Sequence, residues 1–505
     1  MALRQLAGVD TPLTPLERAV QQRSAKLLLQ WEVTCDAALL QSRSSGPTAE
    51  AFAEGFHRAY LLPLEAEEAE RWPEELAANQ LIYLSLSAEE AVPGIGAART
   101  HVGGSYGRET MVEGNFDVDL VVFVRGVTMD EWLQPEMGRK VRRMFARALL
   151  DVAPGEWCVQ LSAPDEEAEE EGGPRYALQL RLGAVEADVL LVPDVVEDPI
   201  LNDPDWVLAQ HTALMREMYD NPGGASYCRL RERANSTALT TFMREQPEEV
   251  RAVARGLKAW RDGLEVDAVP NCGIGSVALE VLALAAHQQL QGQGPQEGSP
   301  ALYQVRLFQA ALSLLVEAVE GGRRVVTVDA GGWGPPPPRS PLDYQHCWAA
   351  DPVKIIHPID PTCNLAHQSP DKPTAQWQAV AAEAKELLDT FRSGTLGEVL
   401  GVLAPAMQLQ RERAAAGLER VELGPPPVLL SVGDSSHQRP QEHAGAAVAS
   451  HPQVVLSSEA VHAKHPGVLG DVMGELGPAM RLQWERAAAA LERLAPVPAP
   501  VPCRT

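Results

Sequence analysis

The run Asp117-Val118-Asp119-Leu120-Val121-Val122-Phe123-Val124 constrains the fold of this chain more than any other feature. It is almost purely β-branched and aromatic, so it reads as a buried strand. Yet two carboxylates stand at its mouth. Side chains two apart on a strand share a face, so Asp117 and Asp119 project together, while Val118, Leu120 and Val122 point to the opposite, buried face. Adjacent carboxylates disfavour each other's ionisation unless a cation lies between them. A hard divalent ion with oxygen ligands, such as magnesium, relieves the repulsion.

Two further features give that pair a context. In "VEADVLLVPDV", Asp188 opens a second apolar strand in the same way and supplies the third carboxylate that a two-metal phosphoryl-transfer site needs. Upstream, Gly103, Gly104 and Ser105 form a tight turn whose N–H groups suit a nucleotide's phosphates. A lone DxD at a strand edge is usually a solvated strand end, and a lone Gly-Gly-Ser says less. Together, with the aspartate pair starting twelve residues after the serine, they point to a nucleotidyltransferase site.

The rest of the chain sets the frame. Its 505 residues are too many for one hydrophobic core. The formal charge of −25 favours solubility and repels nucleic acid on average, without excluding a local basic groove. Seven cysteines, scattered without CxxC pairs, read as reduced thiols and suggest a cytoplasmic protein, the nucleus remaining open. The first twenty residues lack the pattern of a signal peptide, and no apolar run in the sequence reaches the ~20 residues of a membrane span, so no membrane partner is expected. Helices are expected from Thr14 to Trp31, where Thr14 and Glu17 form a capping box and Pro15 suits the first helical position, and over Ala49 to Tyr60. Strand and helix signals alternate from His101 to Val196. They include an amphipathic helix with Val141, Met144, Phe145, Ala148 and Leu149 on one side and Arg139, Arg143 and Arg147 on the other. From Asp205 the signals are helical, broken by "GGWGPPPPRSP" and resuming at Ala375 to Phe391. The expected organisation is N-terminal helices over 1–100, a sheet domain over 101–204, a helical domain over 205–395, and a Pro/Ala-rich, largely disordered tail over 396–505 with a helix near Met480 to Leu494.

"GGSYGRET…EGNFDVDLVVF" resembles the nucleotidyltransferase signature of the 2'-5'-oligoadenylate synthetase family, which belongs with the cGAS-like enzymes in the polymerase-β-type superfamily. "EADVLLVPDV" is similar to that family's third-aspartate strand, "FMREQPEEVRAVARGLKAW" to its long Arg-x-x-Lys-x-Trp helix, and "SVALEVLAL" to the helix that follows. "VKIIHPIDPTCNL" resembles its Asp-Pro-x-Asp-Pro-Thr-x-Asn-Leu segment, with His357 in place of the first aspartate and Asp360, Pro361, Thr362, Asn364 and Leu365 retained. The resemblance spans about Ala51 to Phe391. It implies a bilobed α/β + α fold: a mixed twisted sheet of polymerase-β type followed by a helical lobe. It also implies that Asp117, Asp119 and Asp188 bind two magnesium ions, with Asp188 a candidate base. Gly104, Ser105 and Arg108 would meet the phosphates of ATP, the substrate, with Arg255, Lys258 and Ser276 completing the nucleotide site. Arg251, Arg255 and Lys258 independently share one helix face. Ser276-Val277 departs from the family's Gln-Tyr, which puts the choice of acceptor, and with it the product, in question.

Members of that family are activated by double-stranded RNA, which is read by shape through phosphates and 2'-hydroxyls. Arg18, Arg23, Arg139, Arg143 and Arg244 are the candidate contacts here, whereas Glu248 and Glu249 would repel phosphate. A zinc set of His346, Cys347, Cys363 and His367 has non-standard spacing. The expected activity is synthesis of oligoadenylate-type second messengers from ATP, as in innate antiviral defence. A cGAS-like cyclic dinucleotide synthase and a catalytically silent nucleic-acid sensor stay open as alternatives. Poly(A) polymerases and tRNA nucleotidyltransferases fit the helical half less well.

Overall fold

The computed structural model describes residues 20–25, 48–64, 96–112, 117–127, 131, 137, 140–141, 143–145, 159–161, 177–182, 185–193, 216, 220, 237–269, 272–291, 298–321, 324–334, 340–367 and 375–423. The chain divides into two compact units, Met1–Pro425 and Pro426–Thr505, and every described residue lies in the first.

The expected buried strand is β2, Asp117–Arg125. It lies in a five-stranded sheet with β1 (Gly96–Val102), β3 (Val159–Leu161), β4 (Ala177–Leu182) and β5 (Val185–Pro193), in the order β1-β2-β5-β4-β3. Only the β2–β5 pair is parallel, so the sheet is mixed, as expected. Val118, Leu120, Val122 and Val124 are fully buried on one face of β2. On the other face, Val121 and Phe123 form a small apolar cluster with Val192 and Leu190 of β5. Both faces are apolar beyond the aspartates, which explains the near-continuous hydrophobic run.

Helix α1 (Ala49–Phe56) starts where Thr48 caps the Ala51 N–H at 3.2 Å, and a π-turn carries it on to Leu61. The short α2 (Gly104–Gly107) joins β1 to β2. The helical region comprises α3 (Ala238–Arg244), α4 (Glu248–Asp267), α5 (Ser276–Gln291), α6 (Pro300–Glu320) and α7 (Ala375–Ser393). A two-stranded parallel ribbon, β6 (Val325–Val326) with β7 (Lys354–Ile355), sits between α6 and α7 in sequence. Phe56, Phe308 of α6 and Phe391 of α7 knit three helices together, with ring centroids 5.4 to 6.1 Å apart. Helix α6 is long and apolar enough, by length and composition, to cross a membrane. Here Leu307, Phe308, Ala311 and Leu312 on it are fully buried in the protein core.

The helix expected from Thr14 to Trp31 is described only over residues 20–25, which are helical. The basic amphipathic helix is described in part; Val141 and Phe145 are buried and Arg143 is exposed, matching the expected faces. The tail boundary needs correction. Helices α8 (Leu396–Val402) and α9 (Ala404–Leu423) continue the helical region past residue 395. A capping box of Thr395 and Glu398 starts α8, and Leu396, Val399, Leu403, Ala406 and Ala414 join the main core. Small alanines bury fully against a neighbour without giving the strong apolar stripe that marks a helix in sequence. Residues 424–505, including the helix expected near Met480, lie outside the described residues.

Candidate active site

The parallel register between β2 and β5 sets Asp119 directly opposite Asp188 and Asp117 opposite Glu186. Opposed positions on neighbouring strands lie about 5 Å apart and share a face. Positions 117, 119, 186 and 188 therefore occupy one end of one sheet face, ahead of the Val121–Phe123–Leu190–Val192 cluster. Glu186 was not singled out in the sequence, where it reads as an ordinary polar residue before the strand. Asp119 and Asp188 are half-buried. Burial pushes the Asp119 carboxyl above its usual range, against the opposing pull of Arg108 and Lys258.

The loop from Gly103 to Thr110 is laid onto Asp119. The Gly103 N–H donates to the Asp119 carbonyl at 2.9 Å, and α2 turns back so that Gly107 N–H meets Gly103 C=O at 2.7 Å. Gly104 adopts φ +60°, and a Cβ there would fall 1.5 Å from Asp119 Oδ2. Only glycine lets the backbone pass so close to the carboxylate. Glu109 also takes a left-handed φ, of 58°, unusual outside glycine. Its conformation is fixed from outside: Arg255 Nη1 donates to its carbonyl at 2.9 Å, while its carboxylate lies 3.4 Å from Arg244 and 3.5 Å from Arg251.

Behind the loop lies a buried charge cluster centred on Glu280 of α5. Its Oε2 accepts from Arg108 Nε at 2.8 Å, and its Oε1 accepts from Thr110 Oγ1 at 2.6 Å and from Lys258 Nζ at 2.5 Å. Lys258 also donates to the Thr110 carbonyl at 2.9 Å and to Thr110 Oγ1 at 2.8 Å. Burial alone would push the Glu280 carboxyl up. The Arg108 and Lys258 charges, with bonds from Lys258 and Thr110, outweigh it and hold the carboxyl at about 2. Burial likewise pushes Lys258 down to about 8, against the pull of Glu280, with Arg108 and Arg261 adding repulsion. Glu280 is a functional candidate absent from the sequence reading. Its signal was there: one acid within the apolar run "SVALEVLALAA" needs a buried partner.

The residues expected at the nucleotide site thus divide. The structure brings Gly104, Arg108 and Lys258 around Asp119, with Asp188 across the strand pair. Ser276 begins α5, one turn before Glu280, and Ser105 lies in α2. Arg255 and Lys258, expected to contact the nucleotide, are here engaged with the protein itself. Both are buried; Arg255 holds Glu109 and Glu248, and Lys258 holds Thr110 and Glu280. Their positions on one face of α4 serve the loop behind the aspartates. Among the RNA candidates, Arg23 is 4% exposed and so is no part of an outer ridge, a second correction. Arg143 is exposed, Arg244 is exposed beside Glu109, and Arg18 and Arg139 lie outside the described residues. Among the described residues, no three His, Cys, Asp or Glu side chains are grouped to hold a metal: the zinc set does not assemble, with His367 bonding Asp351 at 2.9 Å, and the side chain of Asp117, the third carboxylate expected beside Asp119 and Asp188, lies outside what is described.

No family model matches the chain, and no curated protein matches it. Solved structures are similar at low identity. CdnC of E. coli MS115-1 with ATP is 15% identical, with a TM-score of 0.44, over 71% of this chain and 97% of that one. Terminal uridylyl transferase 4 from Trypanosoma brucei with bound GTP is 14% identical, with a TM-score of 0.39, over 68% of this chain and 98% of its own. The Cid1 poly(U) polymerase bound to magnesium and 3'-dATP is 12% identical, with a TM-score of 0.40, over 68% of this chain and 96% of its own.

Proposed function

We propose that the chain is a polymerase-β-type nucleotidyltransferase acting on a nucleoside triphosphate at the β2–β5 end of its sheet. The observation that carries this reading is the register pairing Asp119 with Asp188, with Gly104 folded onto the Asp119 carboxylate. Asp117, Asp119 and Asp188 would hold two magnesium ions. The fit rests on three acidic positions at one strand end and on an Asp119 whose burial disfavours its charge in the absence of a cation. Bound divalent ions supply a lowered pKa for an attacking ribose hydroxyl and charge compensation for departing pyrophosphate. The chain's own residues do the rest. Asp188 takes the hydroxyl proton. The Gly104–Ser105 turn orients the phosphates, and Arg108 with Lys258 sets positive charge beside them, one unit of which Glu280 balances.

ATP is the proposed substrate and an oligoadenylate the proposed product, with duplex RNA as an activator bound away from the site. These rest on the motif resemblance described above. A cyclic dinucleotide synthase is the second reading. It is favoured by Ser276-Val277 at the start of α5, where a short hydroxyl and an aliphatic side chain replace the amide and aromatic ring that would hold an adenine acceptor.

The test is incubation of purified protein with each α-labelled triphosphate and magnesium, with and without duplex RNA, followed by digestion with linkage-specific nucleases. Linear 2'-5' products that rise with RNA support the first reading, and a nuclease-resistant cyclic product supports the second. Asp119→Asn, which removes a charge and keeps the shape, is expected to lower transfer at least ~100-fold, or roughly 3 kcal/mol in barrier. Undiminished transfer by that variant would place the chemistry elsewhere.

A further inference from the structure

Helix α9, the last among the described residues, lies beyond the stretch whose motifs suggested the function, yet its Arg413 is linked through Asp262 and Arg261 to Ser276. Its route begins at a close backbone contact. Gly263 of α4 faces Ala406 of α9, and a Cβ on Gly263 would fall 2.6 Å from the Ala406 nitrogen and 2.7 Å from its Cα. The two helices therefore touch backbone to backbone. Ala406, Gln410 and Ala414 are buried along this face of α9, at the spacing of successive turns. Arg413 lies on the same side. Its Nη1 donates to Asp262 Oδ2 at 2.7 Å.

Asp262 is buried and uses its other oxygen for a different arginine. Arg261 donates to Asp262 Oδ1 through Nε at 2.8 Å and through Nη2 at 2.5 Å. This aims the third nitrogen of Arg261 at the entry to α5. Its Nη1 donates to the Ile274 carbonyl at 2.7 Å and to Ser276 Oγ at 3.3 Å. Ser276 and Glu280 are four apart on α5, and Arg261 and Lys258 are three apart on α4, so both pairs face the same seam. The seam runs from Arg413 through Asp262, Arg261 and Ser276 to the Glu280 cluster beside Asp119. A guanidinium held on one edge by a carboxylate loses little further freedom when its other edge engages a ligand or a loop.

We propose that Arg413 is a positioning residue for the nucleotide site: it fixes Asp262, which aims Arg261 at Ile274 and Ser276 and so sets how tightly the α5 end of the site holds its nucleotide. This rests on the nucleotidyltransferase reading for its effect on substrate and on the contacts alone for its effect on α5. An arginine that merely adds surface charge would change neither.

The experiment compares the full chain with Arg413→Met, which keeps length and apolar stem, and with Arg413→Lys, which keeps the charge. Two readouts are taken: hydrogen exchange of the amides at residues 275–279, and KM and kcat for transfer from labelled triphosphate. In Arg413→Met the amides are expected to exchange about tenfold faster and KM to rise about tenfold, with kcat within about twofold. Arg413→Lys is expected to recover most of both. Wild-type exchange and wild-type KM in Arg413→Met would overturn the proposal. Equal loss of kcat and KM effects in both variants, with exchange raised throughout the chain, would also overturn it, since that is general destabilisation. If the wild-type protein transfers no nucleotide, the nucleotidyltransferase reading fails and with it the effect on KM. Exchange at residues 275–279 then still decides whether Arg413 orders the start of α5.

Discussion

Glu280 is the residue on which most of the site's buried charge depends. It sits between Arg108 and Lys258, whose two positive charges would otherwise share a desolvated space. Its carboxyl titrates at about 2 in the folded chain against an ordinary 4.5. A carboxyl depressed by folding contributes stability that is complete above the ordinary value and is lost as pH falls from 4.5 through about 2. That contribution is on the order of 3 kcal/mol. Lys258, at about 8 in the folded chain and 10.5 ordinarily, is also depressed, so its burial costs stability below about 8, and that cost fades as pH rises from about 8 to 10.5. Glu280→Gln should therefore cost about 3–5 kcal/mol at neutral pH, because it leaves two buried cations without their anion. It should also flatten the acid limb between pH 4.5 and 2 and start the alkaline rise below pH 8. Urea midpoints measured across that pH range check this. A variant with the wild-type acid limb would mean that the carboxylate is not the group that titrates there.

At the scale of elements, the strands were the most legible part of the chain. β2 opens on Asp117 and turns apolar after Asp119, and β5, which begins three residues before Asp188, turns apolar after it, a local pattern that carries both face and order. Their mutual register came from neither sequence, because pairing is a long-range choice. The segment between β7 and α7 shows another limit. His357 stands where the motif has an aspartate, and by charge the change looks disruptive. In the structure His357 Nδ1 accepts the Ile359 N–H at 3.1 Å and the Asp360 N–H at 3.0 Å, so the ring does an acceptor's work as a carboxylate would. Asn364 secures the same segment, accepting from Ile355 and Ala366 and donating to Val353. His357→Asp is thus expected to stay within about 1 kcal/mol of wild type. His357→Phe leaves two buried N–H groups without that acceptor and should cost roughly 2–4 kcal/mol. Denaturant titration of both variants separates the cases. Equal stability of the two would show that the segment is held by Asn364 and packing alone.

Over the whole molecule, the sequence located the sheet and the helical region but ended the folded part too early. α7 was readable because Trp377, Val380, Ala384, Leu387 and Phe391 form one apolar stripe, and all five are buried. α8 and α9 were not, because the Pro-, Gly- and Ser-rich stretch that begins at Leu423 drew the tail boundary back to the composition change after Gly394. Alanine packing and the Gly263–Ala406 contact are visible only once the helices meet. The net charge of −25 and a buried Arg23 both weigh against a basic ridge that includes Arg23. The corrected boundary has a direct consequence. A chain ending at residue 395 loses buried Leu396, Val399 and Leu403, together with the Arg413–Asp262 pair. Each large aliphatic contributes about 1.5–3 kcal/mol when fully buried, an upper estimate. The sum is comparable to the whole stability of a domain, about 5–15 kcal/mol. Truncation at 395 is therefore expected to lower Tm by roughly 10 °C or more, or to give insoluble protein. Truncation at 425, the edge of the first compact unit, should leave Tm within about 2 °C of the full chain. Thermal melts of the two truncated chains beside the full-length protein decide it. A chain ending at 395 that melts with the full-length protein would return α8 and α9 to the status of an appendage.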